Sequence, residues 1–369
     1  MNLISKVLRG ALPAFLVSVL LVGCGEKPPI TSVQTGFRGT AMQQLYNERI
    51  LIKDVAKNTP TVAADPIVDV PGGPTAKSIY QNVQVLGDVS VGEFARTMGA
   101  ITEWVAPQQG CNYCHIEGNF ADDSKYTKVV ARRMLQMTKH INSDWKTHVA
   151  ETGVTCYTCH RGKNVPEEIW FAPKEGKSAG GSMADTSGQN KPAKSVSYAS
   201  LPFDPFTPYL LGDLDIRVNG NQALKVTGPK ANLHSTKQAE FTYGLMNHMS
   251  TSLGVNCTYC HNTRSFSTWE GESTPKRATA WYGIRMAREL NVNYMEPLTP
   301  VYPPHRLGPT GDAGKANCAT CHQGAFKPLY GAAMAKDYPA LKAPKAAPAA
   351  DKTSAAPDAA TVKVAISSQ

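Results

Sequence analysis

Four stretches of the chain repeat apolar positions at intervals of three and four residues: VGEFARTMGAITEWVA, YTKVVARRMLQMTKHI, QAEFTYGLMNHMSTSL and RATAWYGIRMARELNV. That spacing lays an apolar stripe along one face of an α-helix. A fifth, weaker helical pattern runs from Met42 to Lys57, within a stretch (25–85) otherwise rich in Pro, Gly and Thr. Residues 172–200 are rich in Gly, Ser and Lys and read as a loop or linker. Residues 340–369 are Ala, Pro, Lys and Asp without an apolar face, the composition of a disordered tail. The pattern predicts a mainly α protein with much irregular chain.

The first residues add a different signal. Lys6 and Arg9 precede the apolar run ALPAFLVSVLLVG, which is short for a bilayer span and ends at Leu21-Val22-Gly23-Cys24. This resembles a bacterial lipoprotein signal over 1–23, with the mature chain beginning at an acylated Cys24. Formal net charge over the 369 residues is +9, but the charge is unevenly spread, so the total says little about partners.

Eight of the nine cysteines lie in four C-x-x-C-H pentads: Cys111–His115, Cys156–His160, Cys257–His261 and Cys318–His322. The ninth is Cys24, which leaves no cysteine for a structural disulfide. Each pentad follows one of the four strong helical patterns. First cysteines are 45 and 61 residues apart within pairs and 101 apart between pairs. Pentads one and three read C-N-Y-C-H and C-T-Y-C-H, while two and four share C-x-T-C-H-x-G-x-x-x-P. Glu93-Phe94 matches Glu240-Phe241, and Arg133-Met134 matches Arg285-Met286. The chain reads as a duplicated two-haem unit.

Two cysteines on a tight turn add to the two vinyl groups of a haem, and the next histidine is then held against the iron. Four such pentads imply four covalently bound c-type haems, with His115, His160, His261 and His322 as proximal ligands. Zinc sites or redox dithiols are the competing uses of one pentad, but not of four in an exported lipoprotein. The sixth ligand decides what each iron does, and methionine there gives a higher reduction potential than a second histidine. Five histidines outside the pentads would just suffice for four bis-histidine haems. Yet Met98, Met134, Met246 and Met286 each lie on a helix before a pentad, where a methionine either ligates or fills core. Before the second pentad, Met134, Met137, His140 and His148 all compete. Met134 and His148 are 14 residues apart, about 21 Å on a continuous helix, so they would not grip one iron.

QAEFTYGLMNHMSTSLGVNCTYCH, STPKRATAWYGIRMARELN and CATCHQGAFKPLYG carry a close resemblance to the tetrahaem cytochrome subunit of the photosynthetic reaction centre of purple bacteria. It covers roughly residues 30 to 340 and all four pentads. It implies Met98 on haem one, Met134 on haem two and Met246 on haem three, with His148 reaching across to haem four. Met137 is then core packing and His140 solvated surface. Internal symmetry would instead nominate Met286 for haem four. But 32 residues separate Met286 from Cys318, against 22 from Met134 to Cys156, and no histidine stands at the position matching His148. Arg277 matches an arginine that the family places beside haem three, where a cation raises the potential; a propionate or surface salt bridge is the plainer role.

The implied organisation is a signal peptide (1–23), an N-terminal segment (24–85), haem pair one and two (86–171), a linker (172–232), haem pair three and four (233–339) and the tail (340–369). The implied function is electron transfer, not enzymatic catalysis. A soluble periplasmic donor, a small cytochrome c or a high-potential iron–sulfur protein, reduces the haems. They re-reduce the photo-oxidised bacteriochlorophyll pair, in the spatial order one, two, four, three. Partners would be the L- and M-type core subunits, the light-harvesting complex and, through the lipid, the periplasmic face of the photosynthetic membrane. Nothing points to nucleic acid. A multihaem reductase would need an open iron that binds carbon monoxide, and a quinol-oxidising cytochrome would need a transmembrane helix. A carrier without a fixed partner would not co-purify with a bacteriochlorophyll complex. Residues 88–123 hold Asp88, Glu93, Glu103, Glu117, Asp122 and Asp123 against Arg96 alone, a net −5. This reads as a docking face for a basic donor near haem one.

Overall fold

The structure is a computed structural model, which describes residues 30–36, 38–67, 72–174, 190–214, 216, 236–263, 266, 269 and 274–342. The expected signal segment, Cys24 and residues 343–369 lie outside the described residues. The described part of the N-terminal segment is folded. Ile30–Gln34 and Gln43–Asn47 pair antiparallel, and helix α1 (Glu48–Lys57) follows, started by Asn47, whose side chain accepts from Arg49 N. The helical pattern predicted from Met42 is therefore a strand up to Asn47. Ile30–Gln34 is exposed throughout, so it lacked the alternation that marks a strand.

The four strong patterns form the four long helices. Helix α2 (Val91–Val105) begins at Ser90, whose hydroxyl accepts from Glu93 N at 3.1 Å. It buries Glu93, Thr97, Ala100 and Trp104, at helical spacing. Helix α3 (Tyr126–Asp144) buries Leu135, Thr138, Ile141 and Asn142, then breaks at Trp145 before the short turn Lys146–Val149. Met134 and His148 are thus on different segments. Helix α4 (Thr236–Leu253) precedes the third pentad. Helix α5 (Pro275–Leu290) starts with proline in its first turn, buries Ile284, Ala287 and Leu290, and runs into a widened turn at Asn291–Met295. Among the described residues no helix is long and apolar enough to cross a membrane.

Two cores hold these helices, and each draws on both halves of the chain. The first joins Leu86, Ala100, Trp104 and Leu135 to Leu329, Met334, Tyr338, Ala340 and Leu341. The tail expected from residue 340 therefore begins with two buried residues. The second core joins Trp170 to Phe206, Tyr209, Leu210, Leu245, Ile284 and Ala287. Part of the segment read as a linker (172–232) is accordingly built in: Tyr209 and Leu210 are fully buried, and Asn190–Pro192 pairs with Ser200–Pro202. The Gly- and Ser-rich composition of 172–200 misled because the apolar cluster LPFDPFTPYLL follows that stretch immediately. Trp170 and Lys315 exchange backbone hydrogen bonds at 3.0 and 2.8 Å, locking the end of the first half to the entry of the fourth pentad.

Candidate functional site

Pentads two and four are one-turn helices of the same design. The Thr158 hydroxyl accepts from Thr155 N and the Thr320 hydroxyl from Asn317 N, both at 2.9 Å. Each threonine thus caps its own turn, which is why C-x-T-C-H recurs. The residue after the histidine is left-handed in both, Arg161 at φ 51° and Gln323 at φ 47°. Gly162 and Gly324 follow at φ 78° and 88°, a conformation that favours glycine. Pentads one and three are instead tight turns at Gly110–Tyr113 and Cys257–Tyr259, with His115 N and His261 N each bonded to the first cysteine's carbonyl at 3.0 Å.

In three pentads the histidine's Nδ1 is tied to backbone: His115 to Phe120 O at 3.0 Å, His160 to Lys163 O at 2.8 Å and His322 to Ala325 O at 2.9 Å. Nδ1 donates in each, so Nε2 is left with a free lone pair, the arrangement a metal-ligating histidine needs. His115 and His261 each pack on the phenylalanine five residues later, Phe120 and Phe266, at 5.2 Å between ring centroids. Burial holds His160 below the ordinary histidine range. Burial, with Arg277 adding its charge, holds His261 at about 4. Arg277 does lie beside the third pentad, its guanidinium over Trp269 at 4.3 Å and donating to Phe266 O at 3.1 Å.

One cavity of about 1290 Å³ runs through the molecule, above the roughly 300–1,000 Å³ of ordinary small-molecule pockets. Met98, Met134, Met137, His148 and Met286 line it, with the cysteines and histidines of pentads one, two and four. Met246 is half-buried against the second core, and Met246 and His261 lie outside this cavity. His148 Nδ1 donates to Thr279 O on α5 at 2.9 Å, and its ring centroid is 6.0 Å from that of His322. A metal–imidazole bond is about 2 Å and a ring nitrogen lies about 1 Å from its ring centre, so imidazoles on opposite sides of one metal have centroids about 6 Å apart. Both Nδ1 atoms are occupied, so each ring keeps Nε2 for a metal, and the centroid spacing is the one that two ligands of a single iron would have.

The other histidines on these helices have different partners. His140 is not solvated surface. Its ring sits between Asp144 at 2.8 Å and Glu289 at 2.5 Å and against Tyr294, joining α3 to α5. His248 is buried on Phe206 and Ser252, and burial lowers it to about 4. Pentads two and four abut. The Cα atoms of Cys159 and Cys321 are 4.5 Å apart and their sulfurs are joined as a disulfide. This departs from the expectation that no cysteine is available for a disulfide, because contact between the two one-turn helices sets these two sulfurs face to face. A disulfide and thioethers to haem are exclusive uses of the same sulfurs, so this pairing belongs to the haem-free chain and is open wherever Cys159 and Cys321 carry haem.

Two asparagines of unforeseen importance hold the even pentads. Asn142 donates to Val154 O at 2.9 Å and accepts from Val154 N at 2.7 Å. Asn291 donates to Ala316 O at 2.9 Å and accepts from Ala316 N at 2.8 Å. Each thus grips the residue two before a pentad. Their placement at the C-terminal ends of the covering helices was the available signal. Arg306 is a cation that the sequence reading missed, close enough to His160 to oppose its protonation.

The acidic face is smaller than its residue count. Glu93 is buried against Arg96 at 3.3 Å, Asp88 pairs with Lys77 at 2.5 Å, and Asp123 pairs with Lys128 and Arg132. Lys77, Lys128 and Arg132 lie outside the counted window, which is why the net −5 overstated it. Glu103 and Glu117 remain exposed.

Four cysteine pairs on single turns, each followed at once by a histidine, three of these histidines lining a largely apolar cavity, define a cytochrome of the c type, which holds haem covalently. The model of the photosynthetic reaction centre cytochrome C subunit matches residues 26–342. Relatives named photosynthetic reaction center cytochrome c subunit include one from Rubrivivax gelatinosus, 56% identical over 93% of this chain and 91% of its own. Those of Thermochromatium tepidum (54%; 89% and 80%) and Roseobacter denitrificans (41%; 89% and 92%) are similar as well. The chain belongs to the photosynthetic reaction centre cytochrome c subunit family.

Proposed function

We propose that this chain carries four c-type haems and re-reduces the photo-oxidised bacteriochlorophyll pair of a reaction centre with electrons from a soluble donor. Bound haem supplies one-electron redox chemistry at potentials set by its axial ligands. Cys111 and Cys114, Cys156 and Cys159, Cys257 and Cys260, and Cys318 and Cys321 hold the four groups by thioethers. His115, His160, His261 and His322 would each supply one ligand to an iron. Met98, Met134, Met246 and His148 would supply the second protein ligand of the first, second, third and fourth. The observation that carries this reading is the spacing of His148 and His322, 6.0 Å with both Nδ1 atoms committed to backbone. The matching caps, left-handed residues and asparagine grips of the even pentads support a duplicated two-haem unit. The contact of Cys159 with Cys321 supports the order one, two, four, three. Arg277 beside His261 fits a residue that raises the potential of the third haem. Attachment through an acylated Cys24 to the periplasmic face of the membrane, next to the L- and M-type subunits and light-harvesting complex, completes the reading.

Flash excitation of membranes tests it. A c-type haem band should bleach as the oxidised pair recovers, and deleting this chain should slow that recovery by at least tenfold. Recovery at an unchanged rate without the chain would overturn the proposal.

Donor docking near the first pentad rests on Glu103 and Glu117, because Glu93 is buried. Reversing both to Lys should slow second-order reduction by a basic cytochrome about two- to tenfold at low ionic strength. Added salt should close the gap as the Debye length falls. Stopped-flow rates across a salt series measure this, and equal rates at low salt would move docking elsewhere.

A further inference from the structure

We infer that Gly283 is the positioning residue for the sixth ligand of the fourth haem: the missing side chain there opens the slot through which α5 admits His148 from the other half of the chain. The inference rests on His148 being that ligand, as proposed above.

Gly283 lies inside α5, and its φ is not among the positive ones. Turn geometry therefore gives no reason for glycine, which weakens a helix interior relative to alanine. Space does give a reason. A Cβ at this position would meet His148 Cε1 at 2.5 Å, Nδ1 at 2.9 Å and Nε2 at 3.2 Å. Ordinary contact between carbons begins at about 3.5 Å, so the imidazole lies directly on the helix backbone. Its Nδ1 donates to Thr279 O, one turn earlier on the same helix. That bond fixes the tautomer and sets the ring 6.0 Å from His322. A side chain at position 283 would push the ring back by about 1 Å, and it could not then keep both the Thr279 bond and its place opposite His322.

The two halves differ at this residue. Aligning Arg133-Met134 with Arg285-Met286 sets Ala131 of α3 opposite Gly283 of α5. The first half supplies its sixth ligand from its own helix and needs no slot. The second half has Met286 three residues beyond Gly283, lining the same cavity, on the same face of α5. Gly283 thus selects histidine from afar over methionine from nearby.

The test uses the full haem-loaded protein. In Gly283→Ala, redox titration should show one haem shifted to higher potential with the other three unchanged. Near-infrared magnetic circular dichroism should show a gain in methionine–ferric iron intensity or a new high-spin component. His148→Met alone separates the two claims. If it moves no haem, the ligand reading fails. If it moves one haem while Gly283→Ala leaves all four as in wild type, the role of Gly283 fails. Should Gly283→Ala not assemble, the same change in the His148→Met background decides, because no imidazole then occupies the slot. Haem content equal to that of His148→Met alone supports the slot. Failure in both backgrounds means that the glycine serves α5 itself, and overturns it.

Discussion

Replacing His148 with methionine should raise the reduction potential of the haem held by Cys318 and Cys321. Thioether ligation favours reduced iron. The expected shift is on the order of 0.1 V, a fraction of the roughly 0.8 V range that axial ligands command. The haem at Cys156 and Cys159 should keep its spectrum. α3 ends at Asp144 and the chain turns at Trp145, so His148 is carried to α5 while Met134 stays on α3. The variant should also be less stable, since the bond to Thr279 alone contributes about 1 kcal/mol and the proposed coordinate bond would join segments far apart in sequence. Redox titration of the resolved haem bands checks the first claim and thermal unfolding the second. A change confined to the second haem would leave Met286 as the leading ligand of the fourth.

Asn291→Leu should be the most destabilising single change around the fourth pentad. Asn291 is fully buried and satisfies Leu210 O at 3.1 Å together with both backbone groups of Ala316. Leucine fills the volume but strands three backbone groups, which amounts to on the order of 3–5 kcal/mol. Ala316 lies two residues before Cys318, so the ratio of haem to protein should fall too. Asn293→Leu is the control: its exposed side chain should be replaceable within about 0.5 kcal/mol. Denaturant titration of both variants measures the difference, and an Asn291→Leu midpoint equal to wild type would show that the grip is dispensable.

What could be read in advance was local. The four long helices announced themselves because Thr97, Ala100 and Trp104 of α2, or Ile284, Ala287 and Leu290 of α5, recur at helical spacing within one window. The pentads were legible because their chemistry is contained in five residues. Partners distant in sequence were not. Asn142 bonds to Leu341, 199 residues away, and His140 to Glu289, 149 away; neither residue type signals such a bond in its own neighbourhood. The acidic stretch misled for the same reason, since Lys77 and Arg132 lie outside it but neutralise it.

The return of residues 329–341 onto the first half also sets a timetable for making the protein. Chains emerge N-terminus first, at roughly 5–20 residues per second. Tyr338, which packs edge-on against Trp104 at 4.7 Å, follows Cys156 by 182 residues. Synthesis of that interval takes roughly ten to forty seconds. For that long the first core lacks Tyr338, Ala340 and Leu341, and Cys111, Cys114, Cys156 and Cys159 belong to a module that cannot yet close.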